Sequence, residues 1–249
     1  MLEVLSVDIG NTRTGFAVVR DGEVVDRWDM PTHDAGREIA IPDSMQASVK
    51  EVGICSVVPG ATPLISAQIA SRLNIEPWII EAERVSWFVI HYDPLNSLGA
   101  DRLCAVIAAR ERVPWPAVVI DCGTATTCSV IDVDGNFAGG VIAPGFDMLA
   151  GAIATGTARL PRPGDEMPID VLATNTEDAV QGGVTRLFVS GVGGILERIK
   201  MELGGHVTVV LTGGRGQWLK RYLAADCRWE PDLVHLGVYE YARRIRAKA

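Results

Sequence analysis

Two short stretches of this chain carry the residue types that phosphate chemistry uses. Asp8-Ile9-Gly10-Asn11-Thr12-Arg13-Thr14 and Asp121-Cys122-Gly123-Thr124-Ala125-Thr126-Thr127 each open on a carboxylate, tighten through a glycine and end in hydroxyls. A turn built from glycine and small hydroxyl residues lets backbone N–H groups approach phosphate oxygens closely. An aspartate repels phosphate, so its use in such a turn is to hold a cation that bridges to the phosphates. The pair therefore points to metal-assisted phosphoryl transfer. One Asp-x-Gly alone is an ordinary strand-end turn, but these two copies stay in register without a gap. Asp8 aligns with Asp121, Thr14 with Thr127, and the turn pair Asp21-Gly22 with Asp134-Gly135. A duplicated strand, acidic turn and strand implies two related half-domains facing one nucleotide.

A second constellation is Tyr92-Asp93-Pro94-Leu95-Asn96-Ser97-Leu98-Gly99-Ala100-Asp101-Arg102. Gly99 permits close approach of a substrate, and Asp101-Arg102 opens a helix. A carboxylate there stabilises the helix N-terminus by ~0.3–1 kcal/mol; its functional alternative is a base that accepts a hydroxyl proton. Position alone favours the capping role. Gly139-Gly140-Val141-Ile142-Ala143-Pro144-Gly145 and Thr212-Gly213-Gly214 add further bare backbone, the latter where a purine or ribose could lie.

These residues need elements to position them. The first half reads as a meander, Val4–Val7, Thr14–Val19 and Glu23–Asp29, with Asp21-Gly22 as the hairpin turn. Arg37–Lys50 is helix-compatible, Val52–Val58 is a buried strand and Thr62–Leu73 has helical periodicity. Pro77–Ile80 and Trp87–His91 read as strands, and Leu98–Arg112 as a helix ended by Pro114 and Pro116. Those prolines mark the expected boundary between halves 1–115 and 116–249. The second half repeats the meander at Ala117–Ile120, Thr127–Val133 and Phe137–Ile142. Helical patterns follow at Phe146–Ala154 and Glu177–Met201, then a strand Val207–Leu211 and helices Gln217–Ala224 and Leu233–Ala247. Strands first and helices after, in each half, predicts an α/β architecture. It resembles the duplicated ribonuclease H-like half-domains of the actin and sugar kinase superfamily, with nucleotide in the cleft between them.

Whole-chain properties narrow the class. The net charge of −8, from 23 basic and 31 acidic residues among 249, opposes a nucleic-acid binder that works by phosphate neutralisation. The basic end Arg243-Arg244-Ile245-Arg246-Ala247-Lys248 suits a helix C-terminus. No apolar run approaches the ~20 residues that span a bilayer, and the start lacks a signal-peptide pattern, so no membrane and a cytoplasmic location are expected. Five cysteines without a CxxC pair read as buried, reduced thiols.

Taken in order, these stretches resemble the type III pantothenate kinases, the family that also holds the Bvg accessory factor proteins. The matching pieces are Asp8-x-Gly-Asn-Thr, Ser56-Val57-Val58-Pro59, the Tyr92 to Arg102 block, Asp121-x-Gly-Thr-Ala-Thr-Thr and the Gly139 to Pro161 block. Asn175-Thr176-Glu177 and Leu211-Thr212-Gly213-Gly214 complete the order. The resemblance implies an ATP-dependent kinase that phosphorylates pantothenate to 4'-phosphopantothenate, the first step toward coenzyme A. It implies that Asp8, Ile9, Gly10, Asn11, Thr12, Arg13, Thr14 and Gly15 form a phosphate loop, with Asp8 near a divalent cation such as Mg2+. Asp121 would bind K+ or NH4+, and Thr124 would touch ATP. Tyr92, Gly99, Ala100, Asp101 and Arg102 would line the pantothenate pocket, with Asp101 as proton acceptor. Thr176 would reach the substrate across a homodimer interface. Arg102 either pairs with the substrate carboxylate or orients Asp101.

One departure stands out. The family places an aspartate two residues after the final threonine of the second motif, where this chain has Ser129. Serine offers no charge to a cation or to Asp121, and strand alternation points Asp132 to the opposite face. The alternative class is a non-catalytic transcriptional regulator of the Bvg accessory factor type that retains the kinase fold. Ser129 is its only support, and Asp8, Asp101 and Asp121 weigh against it.

Overall fold

Leu5, Val7 and Ile9 alternate with Val4, Ser6 and Asp8 along β1 (Glu3–Ile9), and the two sets meet different partners. In the computed structural model, which describes residues 2–42, 49–164, 166–168, 170–223 and 226–247, β1 is the middle of five strands. The others are β2 (Arg13–Arg20), β3 (Glu23–Pro31), β4 (Glu51–Ser56) and β5 (Trp78–Ile79), in the order β3-β2-β1-β4-β5. The first three form the expected meander, and the turn Asp21-Gly22 has positive φ at both residues, as a tight hairpin requires. β4 and β5 run parallel to β1.

Leu5, Val7 and Ile9 join Phe16, Val18, Val52 and Ile54 in one core, covered by Ile65, Ile69 and Leu73 of α1 (Thr62–Leu73). Each such fully buried side chain contributes about 1.5–3 kcal/mol. Helix α1 has Pro63 in its first turn and stops at Asn74, whose left-handed backbone ends it. The other face, with Ser6, Asp8, Gly15 and Cys55, is packed by α2 (Ala100–Arg112) and the closing helix α6 (Leu233–Arg246). These two helices touch closely because position 237 is glycine. A side chain there would overlap the Cys104 backbone.

The second sheet repeats the topology. It contains β6 (Ala117–Cys122), β7 (Ala125–Ile131), β8 (Phe137–Pro144), β9 (Thr208–Thr212) and β10 (Cys227–Trp229) in the order β8-β7-β6-β9-β10, matching β3-β2-β1-β4-β5 strand for strand. β6 pairs antiparallel with β7 and parallel with β9. Its core joins Val118, Ile120, Val209 and Leu211 with residues of α3 (Phe146–Gly156), α4 (Thr176–Glu202) and α5 (Gly216–Lys220). Two mixed sheets with this shared order, each with helices, are the α/β ribonuclease H-like architecture that the sequence predicts.

The chain packs as two units that interleave in sequence. One comprises Met1–Val113, Asn136–Ala138 and Asp232–Ala249, the other Pro114–Gly135 and Gly139–Pro231. A cut between 115 and 116 separates the two sheets but assigns α6 by sequence rather than by packing.

Some local expectations differ from the structure. Trp87–His91 is not a strand; it makes one parallel bridge, Ile90 to Phe137, with His91 N–H donating to the Phe137 carbonyl at 2.8 Å. The helix expected over Arg37–Lys50 includes residues 43–48, outside the described residues, and 37–42 form no helix. Ala224, the expected end of another helix, is also outside them. Among the described residues one helix, the 27-residue α4, is long and apolar enough to cross a membrane by length and composition. Its Val184, Phe188, Val192, Leu196 and Ile199 belong instead to the core of its unit.

The α2–α6 contact is testable. Gly237→Ala is expected to destabilise the protein by about 1–3 kcal/mol, the usual range for overpacking, measured by urea denaturation. An unchanged midpoint would show that these helices have room to part.

Candidate active site

In the first unit Asp8 sits one residue before the end of β1, between Gly15 of β2 and Cys55 of β4. The turn that follows is closed by Gly10 N–H donating to the Arg13 carbonyl at 3.0 Å. Thr32 donates its hydroxyl to the Gly10 carbonyl at 2.7 Å and lies 3.0 Å from the Thr14 hydroxyl. The predicted loop residues thus divide. Ile9 and Thr14 are buried in the scaffold, whereas Asn11, Thr12 and Arg13 are exposed at the tip. Arg13 also pairs with Asp29.

Asp101 lies in the first turn of α2, directly after Gly99 and Ala100. Its Oδ1 accepts the backbone N–H of Arg102 at 2.7 Å. Burial raises its pKa from the ordinary carboxylate value, opposed by that hydrogen bond and by the Arg102 charge. Arg102 itself is only 4% exposed. Its Nη1 donates to the Tyr92 hydroxyl at 3.1 Å, and its guanidinium lies 5.3 Å from the Tyr92 ring and 5.5 Å from the Phe137 ring. Tyr92 and Arg102 are therefore one packed group beside Asp101.

Asp8 is the register partner of Cys55 on β4, and the helix that Asp101 opens packs against that strand. Cys55 feels both. Its buried thiol is pushed well up by a hydrogen bond with Cys104, then by burial, with further contributions from the charges of Cys104, Asp8 and Asp101. All five cysteines are buried and free, as expected. Beside this group, Ser56, Thr62, Ser66, Asn96, Ser97 and Gly99 help to line a cavity of about 750 Å3. The Ser56 and Thr62 hydroxyls are 2.6 Å apart, joining the end of β4 to the start of α1.

Sequence reasoning missed His235. Its Nδ1 lies 2.9 Å from Ser6 Oγ, and its Nε2 faces Gly15. Burial pushes the imidazole down to about 4, helped by Arg27 and opposed by Asp232, so it is neutral near pH 7. Ser6 and His235 are 229 positions apart, and no local pattern around either residue signals the pairing.

In the second unit Asp121 holds the matching place in β6, opposite Thr127 of β7 and Thr212 of β9. Gly123 N–H donates to the Ala125 carbonyl at 3.1 Å, closing the turn, and Thr124 is exposed on it. Ser129 is buried opposite Val119, on the same strand face as Asp121. Asp132 lies past the end of β7, where its carboxylate accepts the Asp134 N–H at 3.0 Å. Thr176 is the exposed first residue of α4, capped by Asn175, whose side chain accepts the Asp178 N–H at 2.9 Å.

Among the described residues no group of three or more His, Cys, Asp or Glu side chains forms a ready metal cage. Single carboxylates at strand ends, with threonines and backbone carbonyls nearby, are a hard-oxygen donor set. They fit cations that take their remaining ligands from phosphate and water.

Comparison with known proteins agrees with the motif order. The family model for type III pantothenate kinase matches residues 4–198. A type III pantothenate kinase of Phenylobacterium zucineum is 37% identical over 99% of this chain and 100% of its own length. One from Caulobacter vibrioides is 32% identical over 97% of each. Among solved structures, a protein of the Baf transcriptional activator family from Campylobacter jejuni aligns with a TM-score of 0.65 at 20% identity, covering 98% of this chain and 99% of that one. The activator of 2-hydroxyisocaproyl-CoA dehydratase from Clostridium difficile aligns with a TM-score of 0.55 at 12% identity, covering 100% and 98%. At such identities these two speak for the fold alone. The sequence matches go further: this chain belongs to the type III pantothenate kinase family.

Proposed function

We propose that this protein transfers the γ-phosphoryl group of ATP to the terminal hydroxyl of pantothenate, the first step of coenzyme A biosynthesis. What supports the reading beyond family membership is that Asp8, the register partner of Cys55, and Asp101, in the first turn of the helix that packs on β4, lie in one unit. A cation-holding carboxylate and a proton-accepting carboxylate in one neighbourhood are what such a transfer needs. The regulatory alternative is not favoured, since the named relatives are kinases and all three aspartates are retained.

In this reading the exposed tip Asn11-Thr12-Arg13 and the Gly10 backbone take the phosphates. Asp8 holds Mg2+, which would offset charge on the phosphates. Thr124 meets ATP, and Asp121 holds K+ or NH4+, with Ser129 leaving Asp121 the only carboxylate on that strand pair. Pantothenate lies along Tyr92, Gly99 and Ala100. Because Arg102 is enclosed by Tyr92 and Phe137, its charge acts on Asp101 rather than at an open surface. As the substrate oxygen bonds to the γ-phosphorus, the bond from that phosphorus to the β,γ-bridging oxygen breaks and ADP leaves. The hydroxyl proton passes to Asp101, whose burial strengthens it as a base.

A homodimer fits α4. Leu187 and Met201 are 64% and 69% exposed, and positions 183, 191 and 194 are glycines with open space where a side chain would stand. A second copy on that surface would cover the apolar residues and bring partner groups near Thr176. A cytoplasmic location is in keeping with a metabolic enzyme of this kind.

Four measurements bear on this reading. Asp101→Asn is expected to lower kcat by about 10²–10⁴-fold, the usual contribution of a positioned base. In the wild type the acidic limb of kcat/KM should lie above the ordinary carboxylate range, because the deprotonated form is active and burial raises its pKa. A fully active Asn variant would remove Asp101 from the chemistry. Replacing potassium by sodium should lower kcat/KM at least about tenfold, roughly 1.4 kcal/mol, and Asp121→Asn should erase the difference. Equal rates in both salts would contradict a monovalent site. Sedimentation velocity should give twice the 26.7 kDa chain mass; a monomer at assay concentration would rule out a shared site.

A further inference from the structure

The second turn is gripped from two directions by elements distant in sequence. Gly145, just before α3, donates its N–H to the Thr124 carbonyl at 3.2 Å. Arg215, in the loop after β9, donates its backbone N–H to the Cys122 carbonyl at 3.1 Å. Both contacts are close enough to require glycine. A side chain at 145 would overlap the Gly123 and Thr124 carbonyls, and one at 213, where φ is +79°, would overlap Asp121 Oδ1 and the Cys122 backbone. The turn that carries Asp121, Gly123 and Thr124 thus owes its place to both contacts.

The side chains next to these contacts close on each other. Arg215 presents Nε to Asp147 Oδ2 at 3.2 Å and Nη2 to Oδ1 at 2.9 Å, a two-pronged pair, with its guanidinium 5.0 Å from the Phe146 ring. Arg162 adds a longer contact to Asp147 Oδ1 at 3.4 Å. The Arg215 hydrogen bond holds the Asp147 carboxyl below its ordinary range, so the pair is charged at neutral pH. Asp147 is 52% exposed and Arg215 26%. Ion pairs this open contribute only about 0–1 kcal/mol to global stability, so the consequence to look for is local.

We propose that the Asp147–Arg215 pair is a strap across the second turn, making both residues positioning residues for nucleotide binding. The proposal rests on the kinase reading above. Holding α3 and the β9 loop together keeps the Cys122 and Thr124 carbonyls engaged, and so keeps the Gly123 and Thr124 backbone in the geometry a phosphate would meet. A positioning role predicts damage to nucleotide binding without damage to pantothenate binding.

The test is calorimetric titration of magnesium with a non-hydrolysable ATP analogue into wild type, Asp147→Asn, Arg215→Gln and Asp147→Glu, alongside steady-state kinetics. Asp147→Asn and Arg215→Gln should each weaken the analogue and raise the ATP KM about fivefold, roughly 1 kcal/mol and the most that such a pair can transmit. The pantothenate KM should stay within about twofold, and Tm within about 2–4 °C, the range for a loss near 1 kcal/mol in a chain of this size. Asp147→Glu, which can still pair, should recover most of the affinity. Unchanged nucleotide binding in both variants would overturn the strap. So would parallel losses in both KM values with a large fall in Tm, which marks general structural damage. A wild-type protein that binds no analogue would instead remove the kinase reading, and the strap with it.

Discussion

A strand paired on both sides and covered on both faces has few places for a carboxylate. Burying an unpaired charge there costs several kcal/mol, so β1 is apolar or small between Glu3, whose carboxylate accepts from Arg20, and Asp8, and β6 is apolar until Asp121. Asp8 and Asp121 stand where burial relaxes, one residue before each strand ends. The parallel partners β4 and β9 run the same way and finish at the same edge, which delivers Ser56 beside the first turn and Thr212 beside the second. Loops beyond the carboxyl ends of parallel strands are where α/β sheets bind ligands. The position of the chemistry thus follows from where charge can be tolerated.

The same constraint shapes the helix-covered face of the first sheet. Ser6, Gly15, Gly53 and Cys55 are small, and α2 and α6 settle close against them. That approach sets α2, with Asp101 in its first turn, against β4 next to the Asp8 strand, and encloses the neutral His235 between Ser6 and Gly15. Half-burial then gives Asp101 a stronger hold on a proton than an exposed carboxylate has. Packing and proton affinity are linked through one set of small side chains.

Much of this was legible along the chain because it is local. The two acidic turns, the Asp21-Gly22 hairpin, the helical periodicity of Thr62–Leu73 and the apolar run of α2 each carry their signal within a few residues. The repeated meander followed from the gapless duplication. What was not legible depends on neighbours brought together by topology. His235 has no local mark. Arg102 reads as an available cation until Tyr92 and Phe137 are seen to enclose it. Trp87–His91 has the composition of a strand but forms a single β-bridge, to Phe137, so β-branched and aromatic content misleads there. Asp147 and Arg215 lie 68 positions apart and are ordinary surface charges until the second turn draws them together. The roles of single residues in catalysis come from the family resemblance, since spacing alone left Asp101 a helix cap.

The joint placement of Asp8 and Asp101 is tested most directly by a crystal structure with magnesium, a non-hydrolysable ATP analogue and pantothenate. The metal-bound phosphates should lie at the Asp8 turn, and the Asp101 carboxylate should accept a hydrogen bond from the pantothenate hydroxyl at about 2.6–3.2 Å, the reach of a general base. A ternary complex in which that hydroxyl lies against another side chain, or in which the phosphates avoid the Asp8 turn, would contradict it.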